Sequence, residues 1–182
     1  NHTVNSCVPE RAEPRIGSVF TANRDLSDLR MAVDLSFGKR GVHWYWHPDG
    51  QHIVGYGEDP ERPGEQVLLQ VNGHDANDVR VLSRHLKSGH PVVSPTNYNL
   101  VVSDALSKPL GRVAFVDTRT DEPLATLHLP RTNRAEIPNG RSRYKVDPHP
   151  FFSSDGSTVM VNTLPGEHAV VTEIDVPEAW RT

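Results

Sequence analysis

The sequence predicts an all-β protein that forms part of a β-propeller. Its 182 residues include 13 glycines and 15 prolines, and these are spread along the chain rather than collected in one linker. Between them lie short, valine-rich segments with alternating apolar and polar residues, a pattern typical of strands. Three segments also resemble one another at spacings of roughly 50 residues, which is the repeat length of a propeller blade. We therefore expect four-stranded antiparallel blades.

The three similar segments each begin with a histidine and pass through apolar or aromatic residues into a turn. In chain order they are 43–50 (HWYWHPDG), 90–97 (HPVVSPTN) and 149–156 (HPFFSSDG). The Asp-Gly pairs that close the first and third segments supply a residue with positive φ, as a tight hairpin requires. Second strands follow the turns as HIVGYG, NLVVSD and STVMVN. Each repeat therefore predicts the innermost strand of a blade and the hairpin that connects it to the second strand of the same blade.

The remaining apolar segments supply the outer strands. They are, in chain order, 18–22, 30–35, 66–71, 79–82, 112–117, 124–129 and 169–174. Grouped by repeat, they predict a single domain over 1–182 with blades at 16–36 (an outer hairpin only), 43–83, 90–130 and 149–175. Because a closed propeller has about four to eight blades and these make about three and a half, we expect a partial ring, with the rest of the propeller missing from this chain. The alternative is a complete four-bladed ring.

The composition excludes several classes of protein. The 19 Lys and Arg residues against 23 Asp and Glu give a net charge of −4, so we expect no nucleic-acid partner. The single cysteine, Cys7, excludes an intramolecular disulfide, and no apolar stretch approaches the roughly 20 residues of a membrane-spanning helix. No nucleophile elbow, phosphate-binding loop or dinucleotide-binding glycine pattern is present. Periplasmic, secreted and cytoplasmic locations are all compatible with this composition.

Three of the ten histidines occupy the same position of the repeat: His43, His90 and His149. The innermost strands of a propeller line its central channel, so equivalent positions of successive blades lie at one height around it. Neutral imidazoles that converge there can bind a divalent metal such as Mn or Zn. Asp147, two residues before His149, alternates to the same face of an extended segment and can add an oxygen ligand. The alternative is that each histidine only hydrogen-bonds a turn at a blade junction.

A basic cluster precedes the third repeat at Arg141, Arg143, Tyr144 and Lys145. Arginine side chains bind carboxylates and sulfates through two parallel hydrogen bonds, and a tyrosine beside them can transfer a proton. We assign catalytic roles to Arg143 and Tyr144, and substrate binding to Arg141 and His43. The alternative is a solvated basic loop.

The segment 141–156 (RSRYKVDPHPFFSSDG) resembles the TolB-type WD40-like propeller repeat, in the version found in oligogalacturonate lyases and related propeller polysaccharide lyases. The segment 89–95 (GHPVVSP) is similar to the preceding blade start of those proteins. The likeness extends over roughly 41–175. Its Ser-Pro-Asp-Gly part is shared by all TolB-type blades, whereas the starts that carry histidine are more specific.

The resemblance implies a seven-bladed ring that holds a divalent metal, often manganese, through histidines at blade starts. It implies β-elimination of a uronate-containing oligo- or polysaccharide, with a basic group that removes the C5 proton. It places metal binding on His90 and His149, and on Asp147 where the family has a histidine in its His-Pro-His-Pro run. The family's separate catalytic histidine and arginine lie in an earlier blade and are not carried over. The alternatives are a non-catalytic TolB-type propeller that binds protein or glycan, and the propeller part of a hydrolase.

Overall fold

The structure is a computed structural model, and it describes residues 17–35, 41–105, 111–129, 146–165 and 168–182. Within these ranges the chain is all-β, and each pair of neighbouring strands runs antiparallel. The chain divides into two compact units, Asn1–Lys87 and Ser88–Thr182. In the described ranges, no helix is long and apolar enough to cross a bilayer.

The first unit contains a two-stranded sheet followed by a four-stranded one. The two-stranded sheet pairs β1 with β2, and the larger sheet has the sequential order β3-β4-β5-β6. The strands are β1 (Ser18–Thr21), β2 (Arg30–Asp34), β3 (Val42–Trp46), β4 (His52–Asp59), β5 (Arg62–Asn72) and β6 (Val79–Ser83).

The second unit contains a four-stranded sheet followed by a three-stranded one. Their orders are β7-β8-β9-β10 and β11-β12-β13, and a short 3₁₀ helix, Glu178–Trp180, follows the last strand. The strands are β7 (Pro91–Val93), β8 (Leu100–Ala105), β9 (Arg112–Asp117), β10 (Glu122–His128), β11 (Phe151–Phe152), β12 (Thr158–Thr163) and β13 (Val170–Asp175).

Each unit has its own apolar core, formed by side chains that alternate along the middle strands. In the first unit Trp44, on β3, is buried together with Ile53, Val67 and Val71. A Cβ at residue 55 would clash with the indole of Trp44, so Gly55 leaves room for the ring beside β4. The core of the second unit consists of Leu100, Val102, Val113, Phe115, Val159, Val161 and Val176.

The turns of the three repeats have the same backbone hydrogen bond. In each, the first turn residue donates its N–H to the carbonyl of the first residue of the next strand: His47 to His52, Ser94 to Leu100 and Ser153 to Thr158. Gly50 and Gly156 adopt the positive φ expected of them, at 71° and 69°. A repeated side-chain pattern therefore produces a repeated local structure.

The predicted fold class is confirmed: within the described residues the chain is all-β, and it contains two complete four-stranded antiparallel sheets beside a two-stranded and a three-stranded one, consistent with part of a β-propeller. The sheets begin at β3, β7 and β11, at the three repeats, and the β1–β2 hairpin precedes them. The domain and blade limits derived from the sequence stay a prediction.

Candidate functional site

The candidate site is built on the hairpin that opens the second unit. Pro91 of β7 pairs with Ser103 of β8, so the next residues outward, His90 and Asp104, face each other across the hairpin. The side chain of Asp104 is fully buried. Its Oδ1 accepts the backbone N–H of His90 at 2.6 Å, and its Oδ1 and Oδ2 lie 3.0 and 2.9 Å from His90 Nδ1.

The same carboxylate reaches the start of the next repeat. Oδ2 of Asp104 accepts the backbone N–H of His149 at 3.1 Å. The imidazole of His149 stacks on that of His90, with ring centroids 3.7 Å apart and planes 21° from parallel. We call these three residues the histidine–aspartate cluster.

The backbone around the cluster adopts conformations that few residues tolerate. His149 has φ of 43° and Gly89 has φ of 124°, and a Cβ at Gly89 would clash with the carbonyl oxygen of Asp104. His43, at the equivalent repeat position of the first unit, also has positive φ, at 61°. Non-glycine residues with positive φ are uncommon, although histidine is among those that adopt it, and they concentrate at functional sites.

The structure brings together two of the three predicted metal ligands. Asp147 is half-buried, and its carbonyl oxygen accepts a long hydrogen bond of 3.5 Å from Asn162 Nδ2. Within the described ranges, no three His, Cys, Asp or Glu side chains are grouped so as to hold a metal. His90 and His149 are therefore adjacent, while Asp147 is not grouped with them as a third ligand. The metal site over all three residues stays a prediction.

The other predicted site residues stay predictions as well. His43 lies on β3 of the first unit, and its convergence with the histidines of the second unit stays a prediction. Arg141, Arg143, Tyr144 and Lys145 lie outside the described residues. Their catalytic and substrate-binding roles therefore depend on the sequence alone.

Sequence reasoning missed Asp104. The residue ends the apolar segment NLVVSD, which the sequence identifies as the second strand of its repeat. Counting outward from the turn along both strands of that hairpin places Asp104 opposite His90, so a signal was present. An acidic residue near the end of a buried strand that faces a histidine is a candidate hydrogen-bond partner for the imidazole.

Two further histidines share an aspartate at the turn between β3 and β4. Asp49 Oδ2 lies 3.0 Å from His47 Nδ1 and 2.6 Å from His52 Nδ1. Burial lowers the pKa of His47 below its ordinary value. Burial acts to raise the pKa of Asp49, but hydrogen bonds from Gln51 and His52 outweigh it and lower the pKa to about 2. Because these groups satisfy one another and the turn backbone, they form a structural feature of the hairpin.

A small cavity of about 140 Å³ lies in the first unit, at the end of β3. Its lining includes Asn23, Asp28, Arg30, Trp46 and His74. Arg30 Nε donates to Asp28 Oδ1 at 2.7 Å, and its Nη1 lies 3.2 Å from His74 Nδ1. The side chains of Asp28, Arg30 and His74 in this cavity are thus bonded to one another.

The solved structures that resemble this fold include two oligogalacturonate lyases. One is an oligogalacturonate lyase from Vibrio parahaemolyticus, with a TM-score of 0.65 and 18% sequence identity over 88% of this chain. The other is an oligogalacturonate lyase in complex with manganese, with a TM-score of 0.63 and 16% identity over 88% of this chain. No protein-family model and no protein of curated function matches the sequence.

These likenesses establish a shared fold. The chain covers 42% of each of the two solved chains, which is less than half of their length. At such low identity, the structural likeness supports the propeller fold rather than the TolB-type assignment or an activity. The metal in the second structure belongs to that protein.

Proposed function

We propose that this chain is part of a β-propeller enzyme that cleaves a uronate-containing oligo- or polysaccharide by β-elimination. The observation that carries the proposal is the histidine–aspartate cluster, because it joins two histidines at equivalent repeat positions through one buried carboxylate. The likeness in fold to oligogalacturonate lyases supports it. A TolB-type ancestry of the repeat belongs to the same proposal.

The residues of the cluster fit one side of a divalent metal site, with Mn or Zn as the expected ions. Neutral imidazole binds both ions, and His90 has the carboxylate partner that metal-ligating histidines usually have on their second nitrogen. Asp147 and residues from the rest of the propeller would complete the ligand set. The chemistry that a bound divalent metal supplies is neutralisation of the uronate carboxylate, which acidifies the neighbouring C5–H.

The remaining steps are assigned to side chains of this chain. Arg141 and His43 would bind and orient the substrate, and Arg143 would pair with its carboxylate. Tyr144, as the general base, would remove the C5 proton. The electron pair of the C5–H bond then forms the C4–C5 double bond, the C4–O bond breaks, and the departing sugar oxygen takes up a proton.

The test uses the full protein that contains this chain, purified and supplied with oligogalacturonate. We expect an increase in ultraviolet absorbance from the unsaturated product, loss of this signal on chelation, and its recovery with Mn²⁺. His149→Ala should abolish the activity and reduce bound metal in elemental analysis. His128→Ala, on the exposed outer strand β10, is the matched control and should change neither.

The outcomes separate the proposal from its alternative. Bound metal without product from any uronate polymer would indicate a non-catalytic propeller that binds glycan or protein. Absence of both metal and product would contradict the proposal and return the histidines to a structural role at blade junctions.

A further inference from the structure

We propose that Asp104 is a positioning residue that holds the imidazole of His90 in the tautomer protonated on Nδ1, and so directs the lone pair of Nε2 away from the hairpin. The purpose of this arrangement rests on the proposed function, but the tautomer itself is measurable without metal or substrate.

The surroundings of the Asp104 carboxylate support this role. A fully buried carboxylate is costly unless hydrogen-bond donors satisfy it. In the part of the chain that the structure describes, its partners are the backbone N–H groups of His90 and His149 and the imidazole of His90. No arginine or lysine is among these described partners. Among the described residues, the carboxylate charge is therefore compensated by N–H donors, and the His90 ring is one of them.

The second support is the chemistry of the two groups. An ionised carboxylate only accepts hydrogen bonds, so the ring nitrogen that faces it must carry the proton. That nitrogen is Nδ1 of His90, which lies 3.0 and 2.9 Å from the two carboxylate oxygens. In a neutral imidazole the other nitrogen, Nε2, then carries the lone pair. This is the tautomer that a metal ligand or a general base acting through Nε2 requires.

The third support is that one side chain fixes both histidines. Asp104 holds the backbone of His149 at a φ of 43°, and the two rings stack at 3.7 Å. A backbone in this region persists only where surrounding contacts determine it. Asp104 therefore positions the His149 ring by binding the backbone of His149. It positions the His90 ring by binding both the backbone and the imidazole of His90.

A purely structural role would require only the two backbone bonds. The substitution Asp104→Asn separates the two roles. With the amide oxygen at the Oδ1 position it keeps the backbone hydrogen bond from His90, loses the one from His149, and places the amide nitrogen at the Oδ2 position, 2.9 Å from His90 Nδ1. The amide nitrogen, however, is a donor, and facing His90 Nδ1 it favours the opposite tautomer, with the proton on Nε2. The positioning role thus predicts that the His90 tautomer reverses in Asp104→Asn, whereas a purely structural role predicts no change of tautomer.

The experiment is nitrogen-15 NMR of the metal-free full protein with labelled histidine, at a pH of about 8.5, where imidazoles are neutral. The His90 signals are assigned by comparison with His90→Gln. We expect a protonated Nδ1 in the wild-type protein and a protonated Nε2 in Asp104→Asn. Asp117→Asn is the matched control, because Asp117, on β9 of the same sheet, pairs with Arg119, and it should leave the His90 tautomer unchanged.

A wild-type His90 protonated on Nε2, or an unchanged tautomer in a folded Asp104→Asn protein, would overturn the inference. If the Asn variant does not fold, the wild-type tautomer decides alone. Mn²⁺ titration followed by electron paramagnetic resonance then tests the link to the proposed function. Loss of the hydrogen-bond partner of a metal-ligating histidine typically lowers metal affinity by about 10–100-fold, and we expect a decrease of this size in Asp104→Asn. Failure of the wild-type protein to bind Mn²⁺, with the Nδ1 tautomer present, would contradict the metal role of the proposed function and leave the positioning role standing.

Discussion

Individual aspartates at the repeat turns are held ionised by the hydrogen bonds that form those turns. Asp155 Oδ1 accepts from Ser153 Oγ at 2.6 Å, from Ser157 N at 3.0 Å and from Ser157 Oγ at 2.8 Å. The hydrogen bond from Ser153 is the largest of the effects that lower the pKa of Asp155 from 3.8 to about 2. The ionised form is therefore favoured in the folded state.

This shift predicts a loss of stability in acid. Because the folded-state pKa lies below the unfolded value, the stabilisation is complete above about pH 4 and is lost as the pH falls towards about 2. We expect the free energy of unfolding, measured by urea titration between these limits, to fall less steeply in Asp155→Asn than in the wild-type protein. Equal slopes for the two proteins would show that the turn does not perturb this carboxyl group.

At this scale the sequence identified the histidines but not their partner. His90 and His149 were found because a repeated position needs no three-dimensional information. Asp104 appears once, in a single repeat, and its role depends on strand register across a hairpin. Repetition therefore reveals what the blades share, whereas the feature that distinguishes one blade requires the paired backbone.

At the level of the strands, the packing of β3 against β4 depends on a glycine that lies beside the indole of Trp44. Gly55 on β4 leaves the space that the indole of Trp44 occupies. We expect Gly55→Ala to destabilise the protein by about 1–3 kcal/mol, the usual effect of overpacking a core. Chemical denaturation monitored by tryptophan fluorescence measures this change.

The control for that substitution is Gly17→Ala. A Cβ at Gly17 would make only an ordinary contact with Leu35, so we expect a change within about 0.5 kcal/mol. Equal effects of the two substitutions would mean that the Trp44 packing is not what requires glycine at position 55.

Strand positions were largely predictable because alternation and turn dipeptides are local signals. The predicted segment 112–117 coincides with β9 (Arg112–Asp117). The predicted segment 66–71 is shorter than β5 (Arg62–Asn72), because the first four residues of β5 are exposed. They belong to a hairpin with β4 that extends beyond the buried part of the sheet, and such an extension leaves no apolar pattern in the sequence.

For the whole molecule, the partial propeller predicts that the 182-residue chain depends on neighbouring blades. The three-stranded sheet carries Val170 and Val171 on β13 with exposed fractions of 44% and 61%, and Phe151 on β11 with 47%. Exposed apolar strands promote association between chains. We expect this chain alone to melt at a lower temperature than the full protein and to associate with rising concentration, as measured by calorimetry and light scattering.

A charge on the exposed strand tests the cause of that association. Val171→Lys should reduce the association of the isolated chain, whereas Thr126→Lys, which adds the same charge on β10, should reduce it less. A monomeric chain that melts as cooperatively as the full protein would contradict the dependence on neighbouring blades.

The way in which Asp104 holds His149 also bears on how such a site can diversify. The hydrogen bond is donated by the backbone N–H of residue 149. It therefore does not depend on which side chain that residue carries, provided that the residue is not proline. The φ of 43° limits the compatible residues mainly to glycine, asparagine, aspartate and histidine. Asparagine and aspartate offer an oxygen in place of the imidazole. Evolution could therefore replace the imidazole at position 149 with an oxygen ligand. The ion or ligand that the site prefers would change, while the hydrogen bond that joins the two repeats would stay intact.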